Sequence, residues 1–228
     1  ILPDILINKI AAGEVIERPA SVVRELIDNS VDAGSTQIDI EVLHGGKKLI
    51  KVADNGAGME KDDAMLCFER HATSKIKSED DLFDISTLGF RGEALPAIAS
   101  VSKITLTTST ANSRSGAKIE INASQKKEIS DAPPFRGTTL EVRDIFYNTP
   151  ARRKFLKSTT TELSHIIETV TQKALAYPEI AFSLTHNEGE IISAPVACDL
   201  KERLIQLYGE ELSREFLNVE RQERGMRI

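Results

Sequence analysis

Between residues 18 and 34 apolar and polar positions alternate with the period of a helix. Val22, Val23, Leu26, Ile27 and Val31 fall on one arc, which predicts an amphipathic helix of about four turns. Pro19 stands at a first helical position, where no intrahelical N–H is needed, and Gly34 stands where a chain leaves a helix. Glu25, Asn29 and Asp32 form a separate polar stripe, and Glu25 and Asn29, four residues apart, project together. Taken alone, such a pair is most simply a solvated face.

The rest of the chain alternates helical and strand periods. Residues 2–12 read as a short helix stopped by Gly13. Ile38, Ile40 and Val42 alternate with polar residues as in a half-buried strand, and Gly45-Gly46 turns the chain into a second strand, 48–54. A helix is expected at 60–68 and another opening near Gly92 and running to Ser100. Strands are expected at 104–108, 117–121, near Ile129 and at 138–142, joined by turn-rich segments. Pro150 begins a basic helical turn, 162–177 is a long helix with Leu163, Ile166, Ile167, Val170 and Ala174 inward, and 181–185 and 190–193 form a hairpin. Residues 201–208 read as a helix ending at Gly209, and 216–228 as the start of another strand system. Helices and strands in blocks imply α+β, with helices on one face of a largely antiparallel sheet. The expected division is a domain over 1–198 and the truncated start of a second domain over 199–228.

Composition narrows the setting. With 228 residues, 40% hydrophobic and 28% charged, the chain is sized for one large domain or a domain and a half. No window has the length and apolarity of a membrane span, and the start lacks a signal-peptide layout. Cys67 and Cys198 each lie in an apolar setting and are expected as reduced core thiols, with no zinc-ligand spacing. The net charge of -6 argues against a constitutive grip on nucleic acid by this region.

Candidate chemistry begins at the end of the second strand. Ile50, Val52 and Asp54 share one face by the period of two, so the Asp54 carboxylate sits beside core residues and needs a partner. Gly56 and Gly58 follow, and without Cβ atoms they let a flat ligand approach the backbone. Residues 70–86 are polar with little periodicity, as in a lid. Gly89 and Gly92 flank Arg91 before a helix start, where free N–H groups and the dipole favour an anion. Neither the G-x-x-x-x-G-K-[ST] loop nor G-x-G-x-x-G is present, so a nucleotide site would be built another way.

These motifs resemble the N-terminal ATPase region of the MutL family of DNA mismatch-repair proteins, in the wider group that includes gyrase B, heat-shock chaperones and sensor histidine kinases. The group motifs stand as Glu25 to Asn29, Asp54 to Gly58, Gly89 to Leu95 and Gly137-Thr138-Thr139. The longer runs Ile10 to Val15, Arg18 to Val23, Arg70 to Lys75 and Phe146 to Arg152 narrow the resemblance to MutL.

The resemblance implies a Bergerat-type two-layer α/β sandwich and an ATPase that uses ATP and Mg²⁺. Glu25 is then the catalytic carboxylate that orients or activates water. Asn29 is the Mg²⁺ ligand. Asp54 accepts a hydrogen bond from the adenine amino group, Gly58 lets the base lie against the backbone, and Thr139 is a second contact near the base. Thr73, Ser74 and Lys75 touch ribose or phosphates, while Gly89, Phe90, Arg91, Gly92, Glu93, Ala94 and Leu95 cap the phosphates as the lid closes. Ala33 and Met59 complete the nucleotide-binding set.

The implied function is a slow switch. ATP orders the lid and promotes N-terminal dimerisation, with a second copy or a MutL-like paralogue. The dimer signals to mismatch-recognition and downstream repair proteins, with DNA engaged by the full-length protein and no membrane partner. The implied compartment is the cytoplasm of a bacterium or the nucleus of a eukaryote, without secretion. The family's second domain normally brings a lysine to the γ-phosphate, and the chain is expected to end before it. A non-hydrolysing adaptor and a gyrase B-like subunit are the alternatives. Asp28 and Asp32 are expected to be structural, His71 a lid-hinge or packing residue, and Arg152, Arg153, Lys154 and Lys157 a solvated face.

Overall fold

The computed structural model describes residues 16–69, 88, 92–122, 127–213, 222–223 and 226–227. The helix expected at 2–12 and most of the expected lid lie outside the described residues. In chain order the elements are α1 (Pro19–Asp32), β1 (Gln37–Leu43), β2 (Leu49–Asp54), α2 (Lys61–Leu66), α3 (Ala94–Val101), β3 (Lys103–Ser109), β4 (Gly116–Asn122), β5 (Lys127–Ala132), β6 (Gly137–Arg143), α4 (Pro150–Phe155), α5 (Thr159–Ala176), β7 (Ala181–His186), β8 (Gly189–Ala194) and α6 (Leu200–Ser213). Two further two-residue strands, β9 (Gln222–Glu223) and β10 (Met226–Arg227), pair with each other.

Eight strands form one sheet in the order β5-β4-β3-β6-β2-β1-β7-β8. Every pairing is antiparallel except β1 with β7, where the long connection through the helices returns the chain in the same direction. The α+β class with a mixed, mainly antiparallel sheet is therefore as expected. Ile38, Ile40, Val42, Ile50, Val52, Ile104, Leu106, Ile119, Leu140, Val142, Phe182 and Leu184 all point to one buried face, against which α1, α3 and α5 contribute Val23, Leu26, Ile27, Ile98, Ile166 and Val170. Alternate positions such as Lys51, Glu141 and Lys118 pair with Glu41, Arg143 and Glu120 on the opposite face. This is the one-sided burial that gives a strand its period of two.

α1 packs against α5, and the Asp28 carboxylate pairs with the Lys173 ammonium between them. α5 starts at Thr159, three residues before the expected helix over 162–177, because Ser158 caps it, accepting the Thr161 N–H at 3.1 Å. Glu162 is buried there and accepts the Lys157 N–H at 2.8 Å, whereas Leu163 and Ile167 are only partly buried. Gly209, with φ 83°, breaks α6 where the helix was expected to end.

Two expectations are corrected. Cys198 is exposed and Cys67 half-buried, because Cys198 lies in the loop after β8, where its N–H is held by Glu202. Arg152 is half-buried with its guanidinium 5.9 Å from the Phe146 ring centroid, a cation–π contact, whereas Arg153, Lys154 and Lys157 are exposed as expected. The expected division at residue 198 falls just before α6, whose buried Arg203 donates to the carbonyls of Ala194, Pro178 and Ile180 at 2.9, 2.8 and 2.6 Å.

Candidate functional site

The ends of three neighbouring strands and one helix face build the site. Asp54, the last residue of β2, is opposite Thr138 of β6, and Thr138 is opposite Thr108 of β3. The three side chains form a row on the core-facing side. Asp54 Oδ1 accepts the Gly56 N–H at 2.9 Å, and Oδ2 lies 3.0 Å from the hydroxyl of Ser30 on α1. Burial pushes the Asp54 carboxyl above its ordinary value of 3.8, against the pull of hydrogen bonds from the Gly56 backbone, the Ser30 and Ser35 hydroxyls and the Thr138 backbone. A half-buried carboxylate with fixed donors on its protein side presents its remaining lone pairs to a ligand as an acceptor.

The segment after Asp54 is held by its own backbone. Asn55 Oδ1 accepts the N–H groups of Thr36 and Gln37 at 2.9 and 3.0 Å, so it fastens the turn after α1. Ala57 N–H donates to the Ala33 carbonyl at 2.9 Å, which brings the C-cap of α1 beneath the loop. Gly58 has φ +70°, and a Cβ there would lie 2.0 Å from the Ser109 carbonyl oxygen. Its need for glycine is thus set by the protein's own chain, a reason beside the expected one that a base lies against the backbone here. Met59 N–H donates to Thr108 Oγ1 at 2.9 Å, and its side chain packs on the core.

The expectation for Thr139 is also corrected. Thr139 pairs with Ala53 and Thr107, so it lies on the outer face with Lys51 and Glu141. Thr138 shares parity with buried Leu140 and Val142 and is the threonine beside Asp54. The alternation Thr138, Leu140, Val142 carried that information. Ser30 was missed as well, although it falls on the apolar arc of α1 between Leu26 and Val23, where a buried hydroxyl requires a partner.

On α1, Glu25 and Asn29 are both half-buried and one turn apart. Glu25 Oε1 lies 3.8 Å from Arg24 Nε. Asp28 is engaged by Lys173, and Asp32 accepts the Leu88 N–H at 3.0 Å, so both acids have structural partners as expected. Gly92 has φ +61°, and α3 begins at Ala94 with no side-chain cap from Glu93. The first turn around Ala94 and Leu95 therefore carries the dipole and N–H groups that suit an anion. Thr73, Ser74, Lys75, Gly89, Phe90 and Arg91, together with His71, lie outside the described residues.

Among the described residues no group of three or more His, Cys, Asp or Glu could hold a metal ion. Asn29 offers a neutral hard oxygen on the same face as the Glu25 carboxylate. That donor set fits Mg²⁺, which takes few protein ligands and completes its shell with phosphate oxygens and water. An open cleft of about 400 Å³ between the start of α1 and α5 is lined by Glu17, Arg18, His165 and Glu168 and contains none of the expected site residues.

Comparison with known proteins gives a consistent picture. The histidine kinase-, DNA gyrase B- and HSP90-like ATPase family model matches residues 16–145. The DNA mismatch repair protein MutL of Syntrophotalea carbinolica is 52% identical over 229 residues, covering 100% of this chain and 36% of that protein. MutL of Geobacter sp. strain M21 is 48% identical over 228 residues, covering 100% of this chain and 35% of that protein. The chain thus spans about a third of the length of these curated relatives. Among solved structures, the Aquifex aeolicus MutL ATPase domain complexed with ADP superposes with a TM-score of 0.68 at 34% identity, covering 85% of this chain and 70% of that one. The N-terminal domain of a DNA repair protein gives 0.79 at 25% identity, covering 94% and 63%.

Proposed function

The chain belongs to the histidine kinase-, DNA gyrase B- and HSP90-like ATPases and, within them, to the MutL proteins, and on that premise we propose that it is the nucleotide switch of a DNA mismatch-repair protein. It binds ATP with Mg²⁺ and hydrolyses it slowly. The ATP state orders the lid and promotes pairing of N-terminal domains, with a second copy or a MutL-like paralogue. That paired state signals to mismatch-recognition and downstream repair proteins on DNA. In this reading residues 1–198 form the ATPase domain and 199–228 begin the domain that follows.

The observation that carries the reading is the Asp54 carboxylate, held half-buried by Ser30 and Gly56 at the end of β2. It accepts from the 6-amino group of adenine. Guanine presents an oxygen at that position and would leave two acceptors facing each other, so the site discriminates between them. Glu25 orients the attacking water and takes its proton, because a carboxylate fixed on a helix can be held within hydrogen-bond reach of the nucleophile. Asn29, one turn on, holds Mg²⁺, which when bound neutralises charge on the phosphates. The uncapped start of α3 receives phosphate oxygens through its N–H groups, and the lid excludes water from the closed site.

The test pairs calorimetry with phosphate release, in the protein extended through the following domain. ATP binds and GTP binds far more weakly, and Glu25→Ala keeps ATP affinity while phosphate release stops. Unchanged turnover in that variant overturns the role of Glu25 and favours an adaptor that uses nucleotide only as an ordering ligand.

A further inference from the structure

Lys173 stands in the last turn of α5, where the negative end of the helix dipole favours a cation, and it has no part in the chemistry assigned above. Its ammonium pairs with the Asp28 carboxylate across the contact between α5 and α1, and the two side chains are only 19% and 17% exposed. Asp28 belongs to the turn of α1 that runs from Glu25 to Asn29. At about 100° per residue it lies about 60° to one side of Glu25, with Asn29 about 40° to the other.

The buried surface of α1 is otherwise mostly aliphatic, from Val22, Val23, Leu26 and Ile27, and such contacts have no preferred direction. Ser30, 3.0 Å from the Asp54 carboxylate, ties the helix to the sheet. It points about 160° away from Asp28. Asp32 and the C-cap of α1 are held by loop backbone at Leu88 and Ala57, whereas Lys173 stands on an 18-residue helix. Two directional attachments on nearly opposite sides, one to the sheet and one to α5, fix the rotation of α1 about its own axis. A carboxylate about 5–6 Å from that axis moves about 1 Å when the helix turns by about 10°, and a misplacement of about 1 Å at the reacting centre costs about a hundredfold in rate.

We propose that Lys173 is a positioning residue for hydrolysis: by holding Asp28 it sets the rotation of α1 that aims Glu25 at the attacking water. The inference rests on the ATPase reading above and adds to it a residue from a different helix that touches neither nucleotide nor water. The base end of the site is held separately, by Ser30 and Gly56 on Asp54, so loss of the ion pair acts on turnover and leaves nucleotide affinity in place.

The experiment measures ATP affinity by calorimetry, phosphate release and the melting temperature in the full-length protein. The double variant Asp28→Leu with Lys173→Met removes both charges at similar volume, an exchange that commonly leaves stability equal or higher. Its kcat falls about tenfold to a hundredfold while ATP affinity and melting temperature stay at wild-type values. Lys173→Arg, which keeps the charge and the reach, retains the wild-type rate. A double variant that turns over at the wild-type rate overturns the proposal. If ATP affinity falls by the same factor as the rate, the pair only supports the fold and the proposal falls as well. Where the double replacement prevents folding, Asp28→Asn carries the test: the amide keeps the shape and loses the charge, kcat must fall with ATP affinity kept, and an unchanged kcat overturns the proposal. Wild-type protein that binds no ATP or releases no phosphate removes the ATPase reading and this inference together, and is told apart by the missing signal before any substitution.

Discussion

Replacing Asp54 by asparagine separates reading of the base from holding of the fold. The side chain of Asp54 meets the Gly56 N–H at 2.9 Å and the Ser30 hydroxyl at 3.0 Å. Asparagine can keep Oδ1 on Gly56 and donate from Nδ2 to Ser30, whose own proton turns to the Leu26 carbonyl 3.1 Å away. These two contacts of the network therefore stay satisfied.

The ionisation balance favours the variant. Burial holds the folded-state pKa of Asp54 above 3.8, so the folded protein retains this proton more tightly than the unfolded chain does. Stability contributed at this position falls as pH rises from 3.8 toward the folded value, and the full cost is present near neutrality. The neutral amide of Asp54→Asn carries no such cost. The unliganded variant should melt at or above the wild-type temperature near neutral pH, with the difference vanishing below about 3.8.

Binding goes the other way. An amide donor now faces the amino donor of the base, which removes one hydrogen bond and leaves a desolvated group unpaired, a loss of about 1–3 kcal/mol or about fivefold to 150-fold in Kd. Calorimetry with ATP and thermal melts of the unliganded protein measure the two effects independently. Equal ATP affinity would refute the role of Asp54 in reading the base. A large drop in the melting temperature without nucleotide would refute the rearrangement at Ser30.

Two further substitutions test the scaffold. Gly58→Ala would drive a Cβ to 2.0 Å from the Ser109 carbonyl oxygen at φ +70°, a cost of about 3 kcal/mol or more and about 6–12 °C in Tm for a chain of this length; a melt within about 2 °C of wild type would show that the loop relaxes freely. Arg203→Ala leaves the carbonyls of Ala194, Pro178 and Ile180 without their buried donor, so the protein loses about 3 kcal/mol and amide exchange across 200–208 accelerates; unchanged protection there would show that α6 is held by its apolar contacts instead.

Much of this architecture is local and was legible from the chain. The helix over Pro19–Asp32, the inward face of Ile50, Val52 and Asp54, and the alternating strands all follow from a period that neighbouring residues impose on one another. Even Thr138 could have been preferred over Thr139 from its alternation with Leu140 and Val142. The resemblance supplied residue roles but not side-chain directions, which is why it led to the wrong threonine. The partners of each group were not legible. Ser30 reaches Asp54, Arg203 reaches three carbonyls, Asp28 reaches Lys173, and Gly58 is required by the carbonyl of Ser109.

Apart from the bond of Arg203 to Ala194, these contacts join residues from 23 to 145 positions apart, and nothing in the local period selects among the possible partners. The sequence by itself determined which residues face inward on each helix and strand, because that depends on backbone geometry alone. Only the tertiary structure decided which inward-facing groups share a site, because strand register and the docking of α1 on the sheet are set by packing across the whole core.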